Sequence, residues 1–155
     1  MFLYFILTSI LVITDQITKY LTIQNIGLHE VVEVIPNVLS FTYIQNTGAA
    51  WSILEGQMWF FYIITTFVIA FLLYYLYTEG RGDKFLGIIL SVILAGTIGN
   101  FIDRIIFQYV VDMIKVEFIN FPIFNVADML LTVGVAALMI YTIYEEKRTM
   151  NNKTR

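Results

Sequence analysis

The chain has 155 residues, 59% of them hydrophobic and only 14% charged, with a net charge of −3. A soluble domain of this length has too little interior to bury so much apolar surface, which excludes an ordinary water-soluble fold and points to one compact membrane unit. The small charge, without a basic patch and interleaved aromatics, excludes a nucleic-acid binder, and the absence of cysteine excludes disulfides, thiolate metal sites and a cysteine nucleophile.

Uncharged windows run over 1–14, 56–78, 85–102 and 129–144. A spanning helix needs about 20 mainly apolar residues. The predicted spans are therefore about 1–21, 57–78, 84–103 and 126–145, with Asp15 and Asp128 at a membrane edge or facing a protein interior. The first window has no basic leader and no small-residue cleavage site, and Asp15 and Lys19 follow in the same helical pattern, so it reads as a retained span.

Between the first two spans, "EVVEVIPNVLSFTYIQN" (30–46) is rich in β-branched and aromatic residues around the turn signal Pro36-Asn37. A small antiparallel sheet is expected over about 25–55, resting on the bilayer. The segment 104–125 is expected as an outer loop or short helix over the site. The fold class is thus an α-helical integral membrane protein with four transmembrane helices and a small extracytoplasmic sheet.

Basic residues set the orientation. Arg81, Lys84, Lys147, Arg148, Lys153 and Arg155, six of the nine, fall on one side of a four-span chain. Both termini are therefore expected in the cytoplasm and the regions 22–55 and 103–127 outside.

Asp15, Lys19, Asn46, Asn100, Asp103, Arg104, Asp112, Asn125 and Asp128 all map to the outer half. Each has a structural reading. Asp15 and Lys19, at i,i+4, make a helix-end ion pair near the headgroups. Asn100, Asp103 and Arg104 share a face and close the third span as a capped, snorkelling end that meets water. Asn125 caps the fourth helix after Pro122, and Asp128 sits in its first turn, where the helix dipole favours an anion. Asp112 in "YVVDMI" is harder to explain: its neighbours are apolar, and Lys115 faces it only if the stretch is helical. Two such acids match an acid–base pair sharing one proton, the arrangement of an aspartic protease.

Other chemistries fit less well. "HEVVE" (29–33) ends in Glu33 and lacks the second histidine of a zinc motif. A serine–lysine dyad would join Lys19 to Ser9, Ser40, Ser52 or Ser91, without a Gly-x-Ser-x-Gly elbow. No Gly-rich phosphate loop is present, and no metal or cofactor is implied.

Five stretches in order, "DQITKYL" (15–21), "IQNTGAAWSIL" (44–54), "GTIGNFIDRI" (96–105), "VVDMI" (110–114) and "FNVAD" (124–128), resemble the bacterial lipoprotein signal peptidase (signal peptidase II) family over essentially the whole chain except the tail. The resemblance implies an intramembrane aspartic endopeptidase of the bacterial cytoplasmic membrane. It would remove the signal peptide of prolipoproteins before a diacylglyceryl-modified cysteine, with membrane lipid as its surroundings and as a monomer. It implies a catalytic pair Asp112 and Asp128. Asp15, Lys19, Asn46, Gly48, Asn100, Asp103, Arg104, Asn125 and Ala127 would line or support the site, Asp103 in a structural role. Gln108 stands where the family usually has glycine. Met113 and Met129 replace a usual phenylalanine and a usual small residue. Two other classes fit part of the pattern: a small proton-coupled transporter or channel subunit, and an inactive lipopeptide-binding protein. A cleavage assay on a lipidated precursor separates them.

Overall fold

The computed structural model describes residues 1–48 and 55–153. In chain order the elements are α1 (Phe2–Asn25), β1 (Val31–Ile35), β2 (Leu39–Asn46), α2 (Met58–Thr78), α3 (Lys84–Phe107), β3 (Val110–Val116) and α4 (Val126–Lys153). All four helices are long and apolar enough to cross a membrane. The fold class read from the sequence is the one observed.

The apolar side chains are distributed as lipid solvent demands. Phe67, Phe71 and Ile140 point outward, while α3 is the best-buried of the four helices. Helices in lipid are held by close packing more than by hydrophobic transfer, and small residues allow that approach. Gly96 and Gly99 show it: a Cβ at Gly96 would come 2.5 Å from the Ala127 carbonyl oxygen, and one at Gly99 would come 2.5 Å from Asp15 Oδ2. Both positions must stay bare for α1 and the start of α4 to lie against α3. At the far end of the bundle, Leu72, Leu76, Leu86, Leu90, Ile93 and Leu94 form the apolar core. There Asp83 caps α3, accepting from Leu86 N–H at 2.9 Å.

The three strands form an antiparallel sheet in the order β1-β2-β3. Pro36-Asn37 is the hairpin turn between β1 and β2, with Asn37 at φ 58°. The segment 104–125 differs from expectation. α3 continues to Phe107, Gln108 ends it in the left-handed region (φ 63°, ψ 20°), and "VVDMIKV" pairs with β2 as the third strand. Its β-branched residues suit a pleated surface, and β2 offers an open edge for them. Beyond it, Ile114 N–H donates to the Phe124 carbonyl at 2.8 Å, and Phe124 N–H returns to the Ile114 carbonyl at 3.1 Å. That exchange clamps the entry of α4 onto β3. It is the link that brings Asp112 and Asp128 to one place.

Candidate active site

Asp112 sits in β3 opposite Ile44 of β2, and Asn46 lies two residues further along β2 on the same face. Asn46 Nδ2 donates to Asp112 Oδ2 at 2.9 Å, and Asn125 Nδ2 donates to Asp112 Oδ1 at 2.7 Å. Asn125 is also the N-cap of α4: its Oδ1 accepts from Asp128 N–H at 2.9 Å, and its own N–H donates to Asp128 Oδ2 at 3.2 Å. This is a reciprocal capping box closed by an aspartate. Asn100 Nδ2 supplies the other donor to Asp128, at 2.7 Å on Oδ1.

Both carboxylates line one cavity of about 620 Å³, together with Asn46, Gly48, Asn100 and Arg104. The remaining wall is mostly apolar, from Phe121 to Phe124 and from Met129 down α4 to Val133, with Thr132 its one hydroxyl. Asp112 is buried, and burial followed by the charge of Asp128 pushes its pKa up to about 7, while the amides of Asn46 and Asn125 pull the other way. Arg104 lies over the Phe61 ring, 4.5 Å from its centroid, and reaches the Gly48 carbonyl at 3.3 Å.

Behind this wall lies a fully enclosed charge cluster. Lys19 Nζ pairs with Asp15 at 2.9 Å and Asp103 at 3.0 Å, and donates to Asn100 Oδ1 at 2.9 Å. Asp15 accepts from the Ala127 N–H at 2.8 Å, and Asp103 accepts from the Val111 N–H at 3.0 Å. Ala127 itself is completely buried. Two structural readings of these acids are corrected here. Asp15 with Lys19 is not a headgroup pair, and Asp103 does not meet water: Asp15 and Asp103 are 0% exposed and Lys19 is 2% exposed. α1 packs on α3 at that level, so the interior supplies the partners that headgroups were expected to give. Lys115 likewise does not serve Asp112. In a strand the i+3 position faces away, and Lys115 pairs with Glu117 at 3.0 Å.

Some participants escaped the sequence reading. Gln16 Nε2 donates to Asp103 Oδ1 at 3.0 Å and to the Gly99 carbonyl at 3.1 Å. Its signal in the sequence is an amide inside an apolar helix, which needs a partner. Tyr62 OH donates to the Arg104 carbonyl at 2.8 Å, and Phe61 carries its guanidinium; neither stands out in the aromatic-rich α2. Of the serines considered, Ser40 donates to Glu117 and Ser91 to the Gly87 carbonyl, so neither hydroxyl faces Lys19. Ser52 lies outside the described residues, as does the rest of 49–54.

Four apolar helices, a sheet at one end and a cavity lined by two carboxylates define a multi-pass membrane protein with a polar pocket set into its bundle. Residues 7–144 match the family model described as signal peptidase (SPase) II, and the chain belongs to that family. It is 51% identical to the lipoprotein signal peptidase of Enterococcus faecalis over 97% of this chain and 93% of that one. It is 49% identical to the lipoprotein signal peptidase of Latilactobacillus sakei over 96% and 99%. A solved bacterial membrane enzyme superposes with a TM-score of 0.91 at 37% identity, covering 96% of this chain and 92% of the other.

Proposed function

We propose that this chain is an intramembrane aspartic endopeptidase that removes the signal peptide from prolipoproteins, cutting just before the diacylglyceryl-modified cysteine. The observation that carries the reading is the meeting of Asp112 and Asp128 on one cavity, each carboxylate held by two N–H donors. Family membership supports the substrate class.

The chemistry follows from the pair. A water held between the carboxylates gives its proton to the ionised one and attacks the scissile carbonyl. The protonated one donates to the departing amine. No acyl-enzyme forms. Asp112 suits the acid, because burial and the neighbouring anion keep its proton on to about pH 7. Asp128 suits the base, because it stands in the first turn of α4, where the dipole favours charge. Arg104 and Gly48, at the cavity edge, are placed to meet the substrate backbone. Asp15, Lys19, Asp103, Asn125 and Ala127 hold the wall behind. The chain works as one four-span unit and as a monomer. The basic-residue bias puts both termini in the cytoplasm and the site near the outer surface.

The test is cleavage of a lipidated precursor by purified Asp112→Asn and Asp128→Asn. General acid–base groups contribute about 10²–10⁴-fold, and each variant is expected to lose at least that. Substantial turnover by either, in folded protein, overturns the dyad.

A further inference from the structure

Three side-chain amides surround the two carboxylates, and all three follow one rule. The oxygen of each is pinned by an N–H that cannot become an acceptor. Gly48 N–H holds Asn46 Oδ1 at 2.9 Å, Asp128 N–H holds Asn125 Oδ1 at 2.9 Å, and Lys19 Nζ holds Asn100 Oδ1 at 2.9 Å. An amide whose oxygen is so fixed has no choice but to present its NH2 to the other side. That side is Asp112 for Asn46 and Asn125, and Asp128 for Asn100.

Two of these pins are backbone groups, set by the fold. The third is the side chain of Lys19. Its three protons are all assigned, to Asp15, Asp103 and Asn100. It is 2% exposed and does not line the cavity, so it has no route to the substrate. Asn125 Nδ2 adds a second donor to Asn100 Oδ1 at 3.1 Å, which a reversed Asn100 amide would meet with another NH2. An ammonium on the carbonyl end also polarises the amide and strengthens its N–H as a donor.

We propose that Lys19 is a positioning residue of the site: by holding the Asn100 oxygen it fixes which way that amide faces, and so keeps an N–H on Asp128. The proposal rests on the aspartic reading above for its effect on rate, while the amide orientation itself does not depend on turnover. Asp15 and Asp103 then have a common purpose. They pair with the buried ammonium and aim it, since a lone cation there would be costly.

The experiment uses the full chain in detergent micelles. Lys19→Met alone would strand two buried anions, so it is combined with Asp103→Asn, which removes one charge of each sign and leaves an oxygen for the Val111 N–H. Asparagine is labelled with ¹⁵N, and hydrogen exchange of the Asn100 side-chain NH2 is read by NMR. The wild-type NH2 is expected to exchange at least tenfold more slowly than that of exposed Asn37. The double variant should lose that protection, with kcat on a lipidated precursor falling at least tenfold and KM staying within twofold. Unprotected Asn100 in the wild type overturns the proposal, as does an unchanged kcat in a double variant that has lost protection. Should the double variant not fold, Asn100→Asp decides. It keeps an oxygen for Lys19 but replaces the N–H to Asp128 by a carboxylate oxygen, so Asn100→Leu, which loses the same N–H without adding charge, is measured beside it. A kcat within twofold of wild type in either variant overturns the proposal, and a loss of tenfold or more in both supports it. Cleavage by Asp112→Asn would overturn the aspartic reading alone, because the exchange rates report the lock without any catalysis.

Discussion

Asp112 is a carboxyl group that the folded chain keeps from ionising. Its ordinary pKa of 3.8 rises to about 7, through burial first and the charge of Asp128 second. Between roughly pH 4 and 7 the native chain therefore holds a proton that the unfolded chain has released, and stability falls as pH rises through that window. Asp112→Asn cannot ionise, so it should lose this share of the slope, and its stability relative to wild type should rise from pH 4 to pH 7. Thermal midpoints in micelles from pH 4.5 to 8 check this. A variant with the wild-type slope would show that the pH dependence comes from another group. The same residue shows what a sequence can and cannot reveal at this scale. Asp112 stands out because no apolar neighbour explains an acid, and Asn125 with Asp128 reads directly as a helix start. The Asp15–Lys19 pair, in contrast, has the same i,i+4 spacing whether it lies at headgroups or in the interior. Only the packing of α1 on α3 decides, and that depends on contacts more than eighty residues apart, such as Lys19 to Asn100.

At the scale of elements, the turn from α3 into β3 sets the register of the site. Gln108 makes it in the left-handed region, where a side chain is strained by about 1 kcal/mol and glycine is not. Gln108→Gly is expected to stabilise the chain by about 0.5–1 kcal/mol and to leave cleavage intact. A lower thermal midpoint would contradict it. The departure from the family's usual glycine was visible in the sequence; its meaning needed the backbone angle. β3 itself was missed, since "VVDMIKV" is short and its partner β2 lies beyond two spanning helices. Asp103 ties these elements together, reaching from α3 to Lys19 on α1 and to the Val111 N–H of β3. Breaking a buried pair costs about 3–5 kcal/mol. Asp103→Asn keeps the shape and one acceptor, so a loss toward the lower end of that range is expected, with part of the activity retained. Asp112→Asn should do the reverse, keeping stability and losing activity. Cleavage rates and thermal midpoints measured together would expose a wrong assignment through the opposite pattern.

At the scale of the whole molecule, the lining of the cavity suits the lipid-borne substrate proposed above. Its polar end holds the two carboxylates, and its apolar wall follows α4 from Met129 to Val133. Five residues of helix from Asp128 to Val133 span about 7.5 Å, so the wall leads away from the acids into the bundle's apolar zone. The sheet continues that character: Val31, Val34 and Ile35 are exposed, as are Phe118 and Ile119 in the turn after β3. On the proposed reading, a peptide carrying two acyl chains beside its scissile bond is already dissolved in the phase that bathes these apolar faces. Each buried CH₂ contributes about 0.8 kcal/mol, so the chains dominate recruitment over any contact the peptide makes alone. Binding energy from such remote groups also serves to align the reacting bond, so removing them lowers kcat as well as raising KM. A precursor without the diacylglyceryl group should be cleaved at least 100-fold more slowly by kcat/KM, and saturating peptide should not restore the rate. The comparison needs one enzyme preparation and two precursors that differ only at the cysteine. Equal rates would mean that the apolar wall serves the signal helix alone and that the lipid takes no part in recognition.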